Sequence, residues 1–363
     1  MKNQILKLIL SFVLALSIFS CQNDGNDDII TKLPSFNEII NADLANYSVL
    51  QKGLAVSNLS NVITNNGSYT VFAPDNAAFL AYRSPNFLTG ITETILAGTL
   101  TAAQASELKR TLMYHLISGG QLASDLPAKG YTKSIAPFGI STSITLSMFI
   151  NKTNGVEING GTTNGGAKVT EGDIKASNGI IHKINSVLLL PTLITQLQAN
   201  SDLSTFLTTL NGDLPTKAFV TSPANNTQLF VPTIKAFENA AVFLTGKSPA
   251  QVASIIAFHI TTGSRYDRNA VIGTQLGQFQ NDGAATTTSY LPTTAISDAV
   301  VSTKALAISP ATGVQTFKIL KNSLNVFEEP AISGLTASKI TVTNIHTFNG
   351  IIHIVDRVLQ PNL

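Results

Sequence analysis

Apolar and polar positions fall in short blocks along the chain, and the first block stands apart. From Leu8 to Phe19 every residue is apolar except Ser11 and Ser17, and Lys2 and Lys7 precede the run. A membrane-spanning helix needs about 20 apolar residues to cross roughly 30 Å of hydrocarbon, so this shorter run predicts a secretory leader over residues 1–20. Gln22-Asn23-Asp24-Gly25-Asn26-Asp27-Asp28 follows, acidic and without apolar periodicity, and predicts a flexible tether over 21–33. Further on, Val71-Phe72 and Leu229-Phe230 read as short strands that Pro74 and Pro232 end. Asp75 and Thr233 predict the N-caps of the helices that come next, with Phe79 and Phe237 one turn in and facing the core. Asn178-Gly179 and Asn349-Gly350 predict tight turns with glycine at positive φ, each followed by an apolar strand. The Asn-Gly and Gly-Gly steps between Asn154 and Gly166 predict further hairpins, and the Thr-, Ala- and Ser-rich stretch Asp282–Ser302 predicts an inserted loop.

The blocks repeat. Asn178-Gly179-Ile180-Ile181-His182 returns as Asn349-Gly350-Ile351-Ile352-His353, and Val71–Phe79 is echoed by Leu229–Phe237. Tyr114-His115 corresponds to Phe258-His259, and Asp43-Leu44 with Tyr47 corresponds to Asp202-Leu203 with Phe206. Paired landmarks in one order define two homologous halves, expected at 34–191 and 192–363.

Length agrees, since 363 residues suit about two domains of roughly 100–200 residues. Hydrophobic residues make up 44% of the chain and charged ones 12%, a balance that predicts folded cores and excludes a disordered chain. With Lys2 and Lys7 in the leader, 21 basic and 21 acidic residues remain, so no net charge steers the protein to nucleic acid. The single cysteine cannot form a disulfide within its own chain. Its setting, Ile18-Phe19-Ser20-Cys21, resembles a bacterial lipobox, although Phe19 is bulkier than usual there. That resemblance implies lipidation at Cys21 and a stable anchor through two or more acyl chains. Gln22 after the cysteine resembles lipoproteins sent to the outer membrane. The acidic cluster resembles surface-export signals, and reads equally as a solvated linker.

Taken together, the landmarks resemble the fasciclin domain, whose two signature boxes match Val71–Phe79 and Asn178–Leu190 with a Tyr-His element between. The second half departs from the pattern at Thr233-Ile234-Lys235 and at Phe258. The resemblance implies an α+β chain of two tandem fasciclin-like domains, each a β-wedge or sandwich packed against several helices. It also implies a role in adhesion and extracellular recognition. The family's Asp-Ile and Tyr-His contacts carry over to Asp173, Ile174 and Tyr114, whereas the second half has Asn344-Ile345.

Candidate chemistry is sparse. His115, His259, His182 and His353 recur in pairs within apolar surroundings, which predicts core histidines bonded to backbone; His346 has no counterpart in the first half, where Lys175 takes its place. No zinc or calcium motif, nucleophile elbow, phosphate loop or dinucleotide loop occurs, so neither metal, cofactor nor catalysis is expected. Arg265-Tyr266-Asp267 imitates an integrin-type tripeptide, but Tyr266 aligns with Leu122 and reads as a core anchor. The expectation is a membrane-anchored module for a protein or glycan ligand on a matrix or cell surface. The alternative is an accessory envelope lipoprotein that assembles with other membrane proteins, and hydrolysis would require a carboxylate pair or a Ser-His contact in a cleft.

Overall fold

A computed structural model describes residues 32–64, 67–84, 90–139, 141, 143–225, 227–261, 289–292, 305–309, 316–319 and 338–359. Cys21, the leader and Arg265-Tyr266-Asp267 lie outside them.

Local chemistry starts many of the helices. Ser35 caps the helix Phe36–Ala42 in a reciprocal box with Glu38, and Thr101 with Gln104 does the same for Ala102–Tyr114. Ser248 with Gln251 opens Pro249–Phe258, where Pro249 in the first turn removes a donor that the helix would leave unpaired. Asp75 accepts Ala78 N–H at 2.7 Å and Thr233 accepts Ala236 N–H at 3.2 Å, which starts the helices Asn76–Ala81 and Ile234–Asn239. Phe79 and Phe237 on those helices are both buried.

In the first half the strands are β1 (Tyr69–Pro74), β2 (Leu116–Ser118), β3 (Lys129–Pro137), β4 (Thr145–Asn151), β5 (Glu157–Ile158), β6 (Ala167–Ala176) and β7 (Gly179–Ile184). The second half has β8 (Thr227–Pro232), β9 (Ile260–Thr261), β10 (Ser289–Pro292), β11 (Ala305–Ser309), β12 (Thr316–Ile319), β13 (Ser338–Thr347) and β14 (Gly350–Val355). The sheets run β2-β1-β7-β6-β5-β4-β3 and β9-β8-β14-β13-β12-β11-β10, the same order twice. Each has one parallel pair at its heart, β1 with β7 and β8 with β14. The hairpins expected between Asn154 and Gly166 are the antiparallel contacts β4 to β5 and β5 to β6.

Alternation across β1 serves two cores in the first half. Val71 and Ala73 join Phe36, Leu50, Phe79 and Leu112 under the helices, while Phe72 turns to Tyr114, Met148 and Ile150 on the other face. At roughly 1.5–3 kcal/mol for each large apolar side chain buried, these clusters hold the half-domain together. Phe206, Leu210, Leu229, Ile256 and Ile352 form the helical core of the second half.

Two expectations need correction. Ser289–Pro292, inside the stretch expected to be a loop, is strand β10 paired to β11; Tyr290 favours a strand even without alternation, and Pro292 is tolerated because the strand is at the sheet edge. The tight turns are Ser177-Asn178 and Phe348-Asn349, and each glycine is already the first residue of its strand. Gly179 does take a positive φ, 147°. A side chain there would strike the Tyr69 carbonyl, and at Gly350 it would strike Thr227 O. The glycines therefore allow close parallel pairing rather than shape the turn.

Candidate functional site

The signature residues form one bonding pattern, built twice. In the first half the Asn178 carboxamide accepts Phe36 N–H at 2.9 Å and donates to Ile63 O, which ties the turn to two helices. Asn349 repeats this, accepting Leu193 N–H at 2.8 Å and donating to Val220 O at 3.3 Å. Both turns also donate a backbone N–H, Ser177 to Pro34 O and Phe348 to Pro191 O.

The Tyr-His histidines are equally internal. His115 Nδ1 lies 2.8 Å from Thr111 O, and its Nε2 accepts Leu188 N–H at 2.9 Å, so the proton is on Nδ1. His259 makes the same two contacts, to Ile255 O at 2.8 Å and from Leu359 N–H at 2.9 Å. Burial pushes both imidazoles down to about 4, so they are neutral at physiological pH.

His182 and His353 stack on Phe72 and Phe230, with ring centroids 5.5 and 5.2 Å apart. Each Nδ1 accepts a backbone N–H at 3.3 Å, from Asp173 and Asn344 respectively. That leaves Nε2 as donor: His182 faces Gln121 O at 3.0 Å, and His353 faces the Gln228 carboxamide at 2.8 Å, which must present its oxygen. Burial lowers the basicity of both rings, and Lys133 lowers that of His353 further.

Asp173 and Asn344 have φ of 61° and 59°, at matching bulges in β6 and β13. Asp and Asn are the non-glycine residues that best tolerate this left-handed conformation, which accounts for both identities. The Asp173 side chain is 48% exposed and accepts Ala123 N–H at 2.7 Å. It thus holds the loop after β2, which Lys152 also grips through Ala123 O and Ser124 O. Ile174 is half-buried against the helical core. Tyr114 is fully buried, donating its hydroxyl to Ser147 O at 2.7 Å and accepting from Asn159 Nδ2 at 2.9 Å. A contact from that hydroxyl to an external ligand is therefore not open to it.

Sequence reasoning missed a polar seam between the two halves. Lys133 Nζ reaches Ser147 Oγ and His346 Nδ1, each at 2.8 Å, and Asn344 O at 2.5 Å, three acceptors for the three protons of an ammonium. Ser147 Oγ also accepts His346 N–H at 3.0 Å, and Gln196 donates to Ser147 O at 3.1 Å. Burial first, then the Lys133 and His353 charges, push His346 down to about 3. Arg110 lies over the Phe348 ring at 5.0 Å, and Asn164 donates to Thr195 O at 2.9 Å. The Lys129–Asp202 pair at 2.7 Å is solvent-exposed and contributes little. The one sequence signal for this seam was His346, the histidine without a counterpart. Its cluster superficially offers a serine beside a lysine and a histidine, yet Ser147 is fully buried and both lone pairs of its hydroxyl are engaged. Such a hydroxyl cannot meet a substrate.

Among the described residues no group of three or more His, Cys, Asp or Glu side chains could hold a metal ion, and no helix is long and apolar enough to cross a membrane.

Two α+β units, each with a parallel strand pair clamped by an Asn-Gly turn and by core histidines, define one scaffold built twice in tandem. The chain belongs to the fasciclin domain family: the family profile matches residues 45–191 and again 201–361. The Synechocystis protein sll1735 is 30% identical over 158 residues, which cover 44% of this chain and 99% of that one. Stabilin-1 of Mus musculus is 28% identical over 173 residues, 47% of this chain but 6% of its own length. A fasciclin-domain pair from the insect cell adhesion molecule fasciclin I aligns over 89% of this chain and 96% of its own, with 14% identity and a TM-score of 0.43.

Proposed function

We propose that this chain is a lipid-anchored adhesion module of the outer membrane, displayed at the cell surface, whose paired fasciclin domains bind a protein or glycan ligand on a matrix or another cell. The observation that carries the reading is how the signature residues are used. Histidines, asparagines and Tyr114 are committed to internal bonds, and of the Asp-Ile and Tyr-His set only Asp173 offers an exposed charge. Family membership supports adhesion, and the lipobox-like Ile18-Phe19-Ser20-Cys21 supports the anchor.

Replacing Cys21 with serine is expected to abolish labelling by palmitate and to release the protein from the membrane fraction. Unchanged labelling would remove the anchor from the proposal. Protease treatment of intact cells separates display from a periplasmic accessory role, since only a surface-facing protein is cut.

The ligand surface is tested through Asp173→Asn on the purified domain pair against arrays of glycans and matrix proteins. Asparagine keeps the left-handed bulge and can still accept Ala123 N–H, so the melting temperature should hold. A charge-assisted contact is about twice as strong as a neutral one, so affinity for a basic partner should fall about tenfold. Lost stability with unchanged affinity would leave Asp173 as scaffold.

A further inference from the structure

Asn-Gly pairs occur seven times in the chain, and the fold treats them unequally. Asn66 is outside the described residues. Asn178 and Asn349 have both ends of their carboxamides bonded, as above. Asn159 is fully buried, its Oδ1 accepting Phe149 N–H at 3.0 Å and its Nδ2 donating to Tyr114 at 2.9 Å. Asn164 Nδ2 donates to Asn159 O at 2.8 Å and to Thr195 O at 2.9 Å. Asn211 lies in the helix Ser204–Gly212, which also fixes the nitrogen of Gly212. Asn154 differs from the bonded asparagines in its free side chain and from Asn211 in lying outside any helix. It is exposed in the turn between β4 and β5, between exposed Thr153 and Gly155, and its carboxamide bonds to no other described residue. Gly155, with φ of 87°, puts no Cβ beside its own nitrogen.

We propose that Asn154 is a site of spontaneous deamidation, selected among the described Asn-Gly pairs because its carboxamide is unbound and it lies in a turn, whereas Asn211 is held by helical backbone. The Gly155 backbone nitrogen gives up its proton and bonds to Asn154 Cγ, and the side-chain nitrogen leaves as ammonia. One water then opens the succinimide at either carbonyl, yielding aspartate or isoaspartate. The new carboxylate arises near the Lys168 stem, which passes Gly155, and two residues from Lys152, whose ammonium grips the Ala123-Ser124 loop. The turn at Asn154 is thereby a point where age adds a charge two residues from the lysine that grips the loop Asp173 holds.

The test is peptide mapping of the purified chain aged in mildly alkaline buffer, read by mass and by isoaspartyl methyltransferase labelling, with a parallel sample in urea. In the folded chain Asn154 should convert at least about tenfold faster than Asn159, Asn164, Asn178, Asn211 or Asn349, because those sites react only after local opening. In urea the difference should collapse, and Asn154→Gln should remove the labelled product from its peptide. A held asparagine converting as fast as Asn154 in the folded chain, or the same ranking persisting in urea, would overturn the proposal.

Discussion

Replacing Gly179 with alanine is expected to remove more than about 4 kcal/mol from the first domain, most of the stability of a marginal fold. The added methyl would overlap the Tyr69 carbonyl, which belongs to the backbone of the adjoining parallel strand and cannot swing aside as a side chain would. Separating β1 from β7 would break the pair on which both cores of that half are built. Gly350→Ala should act alike in the second domain, where Thr227 O and the Leu193 side chain occupy the space. Gly119→Ala is the control, since its φ is 85° but nothing lies within 4 Å of the new methyl. It should cost only the left-handed penalty of roughly 1–2 kcal/mol. Urea unfolding of the three variants decides the matter, and a Gly179→Ala protein no weaker than Gly119→Ala would refute close strand approach as the reason for glycine.

Much of this architecture is legible in the sequence because it rests on short-range chemistry repeated twice. Pro74 and Pro232 close strands, Asp75 and Thr233 cap helices, and both halves use these signals in one order. The reason for the Asn-Gly pairs was legible in kind but not in mechanism. That a glycine serves a neighbouring strand rather than its own turn depends on a partner more than 100 residues away, Tyr69 for Gly179 and Thr227 for Gly350. The bulge at Asp173 and Asn344 left a trace, since these are the two side chains that accept positive φ, yet the bulge itself is a property of strand register. The seam was nearly invisible. Lys133, Ser147, Gln196 and His346 meet only when both halves are folded, and no local pattern marks a lysine whose three donors will all be used, two of them across a domain boundary.

Acid should unfold the protein, and the second domain should yield first. His115 and His259 are held near 4 by burial, His353 and His346 near 3 by burial with the Lys133 charge adding to it, and His182 is lowered as well. In the unfolded chain all five return toward about 6.5. Between these values the unfolded state binds more protons, so stability falls as the medium is acidified. The stabilisation is fully present above about pH 6.5 and is lost as pH drops through the folded-state values. His115 and His259 each contribute up to about 3 kcal/mol across that window, with no discount for solvent because both are fully buried. His259, His346 and His353 belong to the second domain and only His115 and His182 to the first, which sets the order. Hydrogen exchange read by mass spectrometry from about pH 7.5 down to about pH 4 follows the two domains separately. His115→Ala adds a second arm: it strands Leu188 N–H and Thr111 C=O, so it should cost about 1–3 kcal/mol per orphaned group at neutral pH. The same variant should flatten the acid slope of the first domain by about one proton, because the titrating ring is gone. A protection profile that stays level to pH 4, or a variant that keeps the wild-type slope, would mean these rings take up protons without breaking their backbone bonds.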